Sequence, residues 1–247
     1  LKIVIDIEDY QVKNSYKKLL AFSMFFFTAA VSAAQDGKIT DPLKWPAQCD
    51  KVNFSETDRK IDRMPDIDVK DASEEQIKAI EKISQGPRGC IFGPFSVLLR
   101  SPELLTRVQM LGEHIRFSSQ LPKSIREFAI LIAGREVESP YEWYIHEPIA
   151  LRSGVTREIA DALAKKIKPE NMTRDQAVVY QFVTELHMTH MVQDSTYNAV
   201  KQQFGDSGVV ELTALDSYFS LLGQELNVAR TAVPENVKLP FNPPWQS

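Results

Sequence analysis

Residues 127–133 read EFAILIA, a glutamate followed by a run that is apolar on every face of a helix. A helix apolar all round is buried on most of its faces, so other helices must surround it. The chain supplies them. DASEEQIKAIEKI places Ser73 as an N-cap, Gln76 as its capping-box partner, and Ile77, Ile80 and Ile83 at helical spacing. After a break at Pro94, Ser101 and Pro102 form an N-cap and first-turn pair for a helix over residues 102–117. Further helical patterns follow in TREIADALAKK, TRDQAVVYQFVTELHMTHMV, STYNAVKQQFG and GVVELTALDSYFSLLGQELNVART. Strand signals are almost absent, and the pattern predicts an all-α domain over residues 73–236. REFAILIAG and VELTALDSY each put a glutamate, Glu127 and Glu211, at the start of an apolar helix, a weak internal echo.

The N-terminus reads differently. Lys17 and Lys18 precede LLAFSMFFFTAAVSAAQ, an apolar run that ends in small residues, as a secretory signal peptide does. The run is shorter than the roughly 20 residues a membrane span needs. Residues 1–34 are therefore expected to be a signal peptide or N-terminal extension, and the mature protein to be periplasmic or secreted, with no membrane partner. Residues 35–72, with Pro42, Pro46 and Pro65 among charged residues, read as an extended arm, and residues 237–247 as an irregular proline-rich tail. The only cysteines, Cys49 and Cys90, fit one disulfide in an oxidising compartment. The net charge of -4, with Lys and Arg scattered through the chain, leaves no basic stripe for nucleic acid.

The stretch SPYEWYIHEP, residues 139–148, carries the chemistry-bearing side chains. Ser139 suits the N-cap, Pro140 the first helical position, and Glu142 the return bond of a capping box. That account leaves His146 unexplained. Glu142 and His146 are four residues apart, so they share a helix face with Ile149 and Ala150, which should point inward. Pro148 lacks an N–H and frees the carbonyl of Tyr144 beside the histidine. Glu127, at the head of the buried helix, needs a partner, and His146 is a candidate; Arg126 or Arg135 is the alternative. A histidine flanked by two half-buried carboxylates is how proteins tune an acid or base toward neutral pH.

Other residues carry weaker signals. His187 and His190, with Glu185, lack a third ligand at suitable spacing, so no metal is expected. His114 reads as structural. Among Arg100, Arg126 and Arg135, one arginine in a bidentate grip suits a substrate carboxylate. Phe95, Trp143 and Tyr144 read as core or as pocket wall.

The runs GPFSVLLRSPELLTRVQMLGEHIRFSSQLPKSIREFAILIAGR, YEWYIHEPIALRSGVTREI and FGDSGVVELTAL resemble the carboxymuconolactone decarboxylase family, which includes the alkyl hydroperoxidase D-like peroxidases. The resemblance spans roughly residues 75–235. It implies an all-helical, alkyl hydroperoxidase D-like fold that assembles as a trimer or hexamer. In the peroxidase branch a glutamate precedes a C-x-x-C pair, and a histidine follows the second cysteine by four residues. Glu127 and His146 match that glutamate and histidine, while Ser139 and Glu142 stand where the two cysteines would be. Ser and Glu cannot form the disulfide of peroxide reduction, so the resemblance implies a branch that uses His and Glu for proton transfer.

These readings combine into one expectation. His146, Glu127 and Glu142 are the catalytic candidates, and Ser139, Trp143, Arg135 and Phe95 the substrate-binding ones. The expected chemistry is cofactor-free proton transfer of the decarboxylase or lyase kind on a small organic acid or lactone. Two alternatives stand beside it: peroxide reduction through Cys49 or Cys90, and a non-catalytic binding or assembly module.

Overall fold

Every long element of the computed structural model is helical, and no strand occurs among the described residues, 61–234 and 237–246. The expected signal peptide, Cys49 and most of the expected arm lie outside the described residues. The eight α-helices among the described residues are α1 (Glu74–Gln85), α2 (Pro94–Leu98), α3 (Pro102–Glu113), α4 (Lys123–Glu136), α5 (Pro140–Arg152), α6 (Arg157–Ala164), α7 (Arg174–Thr189) and α8 (Asp194–Ala229).

The starts of these helices follow local chemistry. Ser73 caps α1 in a reciprocal capping box with Gln76, and Thr173 does the same for α7 with Gln176. Thr156 caps α6 through the Ile159 N–H. The long α8 is two helices merged at Gly205, whose φ of 73° only glycine adopts without strain. That is the boundary between the two helical patterns of the sequence.

α4 is the central element. Its residues 127–134 are all buried, and it packs against α5, α6, α7 and α8. Burying each of its large side chains contributes about 1.5–3 kcal/mol relative to exposure. Across the connection Val137, Glu138 and Ser139, the chain folds α5 back onto α4. Glu138 takes a left-handed φ of 53° there, and the Ser139 N–H donates to the Gly134 carbonyl at 2.8 Å. Gly134 also lets the two helices approach closely: a Cβ there would lie 3.1 Å from the Cβ of Glu142. α8 covers the other side, burying Leu212, Leu215, Phe219, Leu222 and Leu226 at helical spacing.

The predicted helix over 102–117 is α in its first part and π over residues His114–Ser118. The wider π turn, a feature often found at functional sites, carries Arg116.

The described part of the arm is tied down by main-chain contacts. The Arg63 N–H donates to the Ala229 carbonyl at 2.7 Å, and Arg100 donates to the Pro65 carbonyl. The tail folds irregularly over α5, where the ring of Phe241 meets Trp143 edge-on at 5.6 Å.

Candidate active site

The α4–α5 hairpin brings Glu127 and His146 together. Nδ1 of His146 lies 2.8 Å from Oε2 of Glu127, and both side chains are buried. Pairing by Arg126 or Arg135 does not occur. Arg126 donates to the carbonyls of Ser119 and Leu121, and Arg135 to that of Ala164. The cation that reaches Glu127 is Arg116 on the π turn, with Nη2 3.4 Å from Oε1.

The other ring nitrogen of His146 faces Glu142: Nε2 is 3.5 Å from Oε2. Glu142 does not complete a capping box. The Ser139 hydroxyl accepts from the Glu142 N–H at 3.5 Å, but the Ser139 N–H is already taken by Gly134, so the Glu142 carboxyl is free to turn inward. The edge of the Phe219 ring, 5.1 Å from the imidazole, holds its orientation.

Burial and pairing push these three groups apart in proton affinity. Burial works to raise the Glu127 carboxyl, but its hydrogen bond to His146 and the charge of Arg116 leave it below the ordinary value. Burial lowers His146 against the pull of Glu127, so the neutral imidazole is favoured. Burial raises Glu142 to about 8 although Arg116 and Arg88 oppose it. Near neutral pH the resulting states are an ionised Glu127, a neutral His146 and a protonated Glu142. An ionised Glu127 can only accept, so Nδ1 of His146 carries the proton and Nε2 keeps a lone pair.

A partly open pocket is lined by both His146 and the Glu142 that its Nε2 faces. Its empty volume is about 340 Å³, including space open to solvent at its mouth, and His146, Glu142, Phe95 and Arg116 line it. Arg88, Tyr141, Tyr218 and Phe219 complete much of the wall. Glu127 stands behind the histidine and does not line it. Two hydrogen-bonding groups of opposite readiness, the accepting Nε2 and the donating Glu142 carboxyl, thus face a mainly aromatic chamber, an arrangement suited to moving protons.

Of the expected substrate-binding residues, the structure brings only Phe95 to the pocket. Ser139 is buried as the cap of α5, where a Cβ on Gly223 would lie 3.1 Å from its own. Trp143, one residue from Glu142, does not line the pocket and meets Phe241. Arg135 stacks over the same Phe241 ring at 4.2 Å, so these two residues seat the tail. Tyr144 meets Tyr141 edge-on and does not line the pocket. Arg100 serves the arm.

Sequence reasoning missed Arg88, Arg116 and Tyr218. Arg88 sits in the glycine and proline loop between α1 and α2, where no periodicity marks which side chains turn inward. Arg116 is aimed by a π turn, which an α-helical template misplaces.

Two of the remaining histidines have ordinary partners. His187 pairs with the buried Asp216 at 2.8 Å, and His114 lies 3.3 Å from Glu211. Glu211 also accepts from the Ser119 hydroxyl and the Gln120 N–H, so its likeness to Glu127 stops at sequence. Among the described residues no group of three or more His, Cys, Asp or Glu is placed to hold a metal ion, and no helix is long and apolar enough to cross a membrane. Cys90 is buried and disulfide-bonded, and it does not line the pocket.

No family model matches the chain, and comparison with curated proteins gives no match. Solved structures do match. The alkylhydroperoxidase AhpD core of an uncharacterized peroxidase-related protein from Ralstonia eutropha JMP134 superposes with a TM-score of 0.58 at 17% identity. The match covers 71% of this chain and 93% of that one. An uncharacterized peroxidase-related protein from Silicibacter sp. TM1040 gives a TM-score of 0.55 at 14% identity, covering 70% of this chain and 91% of that one. The described domain has the all-helical fold of the alkylhydroperoxidase D core.

Proposed function

We propose that this protein is a cofactor-free proton-transfer enzyme, of the decarboxylase or related lyase kind, acting on a small organic acid or lactone. The observation that carries the reading is the buried Glu127–His146–Glu142 chain, in which a base and an acid face one pocket. Nε2 of His146 takes a proton from the substrate, and the Glu127 carboxylate behind Nδ1 stabilises the imidazolium that forms. The pair left by the broken C–H bond shifts along the substrate's conjugated bonds, and Glu142, protonated near neutral pH, gives its proton to the carbon at which it arrives; in decarboxylation the pair comes instead from the broken C–CO2 bond and solvent replaces the proton consumed. The chain resets when Nε2–H passes its proton to the Glu142 carboxylate. Such positioned proton transfer contributes typically about 10²–10⁴-fold in rate.

The test is a panel of small acids and lactones incubated with the protein in D2O and followed by NMR for deuterium uptake or loss of CO2. Turnover that disappears in His146→Ala with the helical signal intact supports the reading; equal turnover in that variant contradicts it. We propose export and homo-oligomeric assembly as its setting, to be checked by localisation of the full chain and by light scattering.

Peroxide reduction is the second reading, favoured by the names of the solved relatives, both peroxidase-related. Here it must use Cys49 or Cys90. Peroxide turnover that survives changing both cysteines to serine excludes thiol chemistry.

A further inference from the structure

Arg88 is a buried cation that forms no ion pair among the described residues. Only 9% of its surface is exposed, and neither Nε nor Nη2 has a hydrogen-bond partner. Its guanidinium lies over the Phe95 ring at 4.4 Å and lines the pocket above His146. The hydroxyl of Tyr218, on the same wall, is likewise buried and unpartnered. Both groups press against Gly112 of α3, where a Cβ would collide with the Tyr218 hydroxyl and lie 2.6 Å from Nη2 of Arg88. The backbone therefore makes room for this pair of polar groups.

Native proteins pair the charges they bury. The nearby carboxylates do not bond to Arg88: Glu127, behind the histidine, is bonded to His146 and Arg116, Glu142 favours its protonated form near neutral pH, and Glu113 acts on the guanidinium only through its charge. At most one positive charge is left over. A planar guanidinium with free N–H groups matches a carboxylate, which takes two parallel hydrogen bonds. A hydroxyl alongside supplies a third donor. The single excess charge suits a monoanion better than a dianion, and Phe92, Phe95, Phe219 and Leu222 offer an apolar body its wall.

We propose that Arg88 and Tyr218, flanked by Arg116, form a carboxylate-binding site, and that the ligand of this pocket is a small monocarboxylate with an apolar body. Turnover of that ligand rests on the proton-transfer reading; its binding does not. If both hold, a lactone is a substrate only when it carries a free carboxylate, and Arg88 sets which end of the molecule faces His146.

Benzoate and hexanoate, each compared with its neutral amide, are the probes, titrated into the full chain by calorimetry. At least one carboxylate should bind about 30-fold or more tightly than its amide, and Arg88→Met should remove that preference. Arg88→Lys keeps the charge without the fork and should recover only part of it. In the wild type the bound carboxylate should shift the Nε–H resonance of Arg88, a readout that does not depend on how well a variant folds. Carboxylate binding without turnover of any acid in the D2O panel would sink the proposed reaction and leave this site standing, which separates the two. Equal affinity for acid and amide overturns the proposal, as does an unmoved Arg88 resonance, full binding in Arg88→Met, or tighter binding of inorganic phosphate than of either carboxylate.

Discussion

Glu127 and His146, 19 residues apart in sequence, meet at 2.8 Å between the buried faces of α4 and α5. The contact fixes the tautomer of the imidazole and turns its other nitrogen toward the pocket and Glu142. The proposed chemistry depends on that orientation.

Replacing Glu127 by Gln keeps the shape and removes the charge that stabilises an imidazolium. Any proton-transfer turnover should fall by about 10²-fold or more, toward the His146→Ala level. A rate within about threefold of wild type would mean that Glu127 only fills space.

Glu142 gives the stability a distinctive pH dependence. A carboxyl raised to about 8 in the fold stays protonated where the unfolded chain, with its ordinary value of 4.5, has released the proton. Stability therefore falls as pH rises from about 4.5 to about 8, with a limiting slope near 1.4 kcal/mol per pH unit. His146, lowered from its ordinary 6.5, acts oppositely below that pH, since the unfolded ring protonates first. The clean window is pH 6.5–8, where urea unfolding of wild type and Glu142→Gln should diverge, the variant gaining relative stability as pH rises. Parallel curves would show that Glu142 is ionised in the fold.

Gly112→Ala should destabilise the protein by about 1–2 kcal/mol. Overpacking typically costs about 1–3 kcal/mol, and the better helix propensity of alanine returns up to about 1. The clash falls on Tyr218 and Arg88, so benzoate affinity should drop as well. Calorimetric melting and titration of the same sample check both effects.

Phe241→Ala removes the contacts of the tail with Trp143 and Arg135. The expected loss is about 1–2 kcal/mol, from one aromatic pair and one cation–π contact. Ligand affinity should stay unchanged, and so should that of Arg135→Ala, because neither residue lines the pocket. A tenfold loss of affinity in Arg135→Ala would restore it to the site.

The fold is legible in the sequence because it is written in helical period and caps: the all-apolar 128–133 run, the Ser73 box, and the Gly205 break each have one structural meaning. Glu127 and His146 are legible for a related reason. A carboxylate heading a buried helix and a histidine on an inward face must each find a partner, and few are on offer. The remainder of the site is not, because its geometry is non-local. Ser139 reads as half of a capping box, yet its N–H is claimed by Gly134 across a left-handed turn. Nearness in sequence places Trp143 and Arg135 at the pocket, while the tail residue that occupies them lies about a hundred residues away. Arg88 and Arg116 come from a loop and a π turn, where neither the 3.6 nor the 2 residue period applies.

The most direct test of the coupled acid–base chain is an NMR pH titration of the histidine ring signals, in wild type and in Glu127→Gln. The chain contains four histidines, so assignment by substitution is practical. The account predicts that His146 titrates below its ordinary value of 6.5 and lower still without the Glu127 carboxylate, with Nδ1 protonated throughout in the wild type. A His146 that titrates at or above 6.5, or ignores the loss of Glu127, would contradict it.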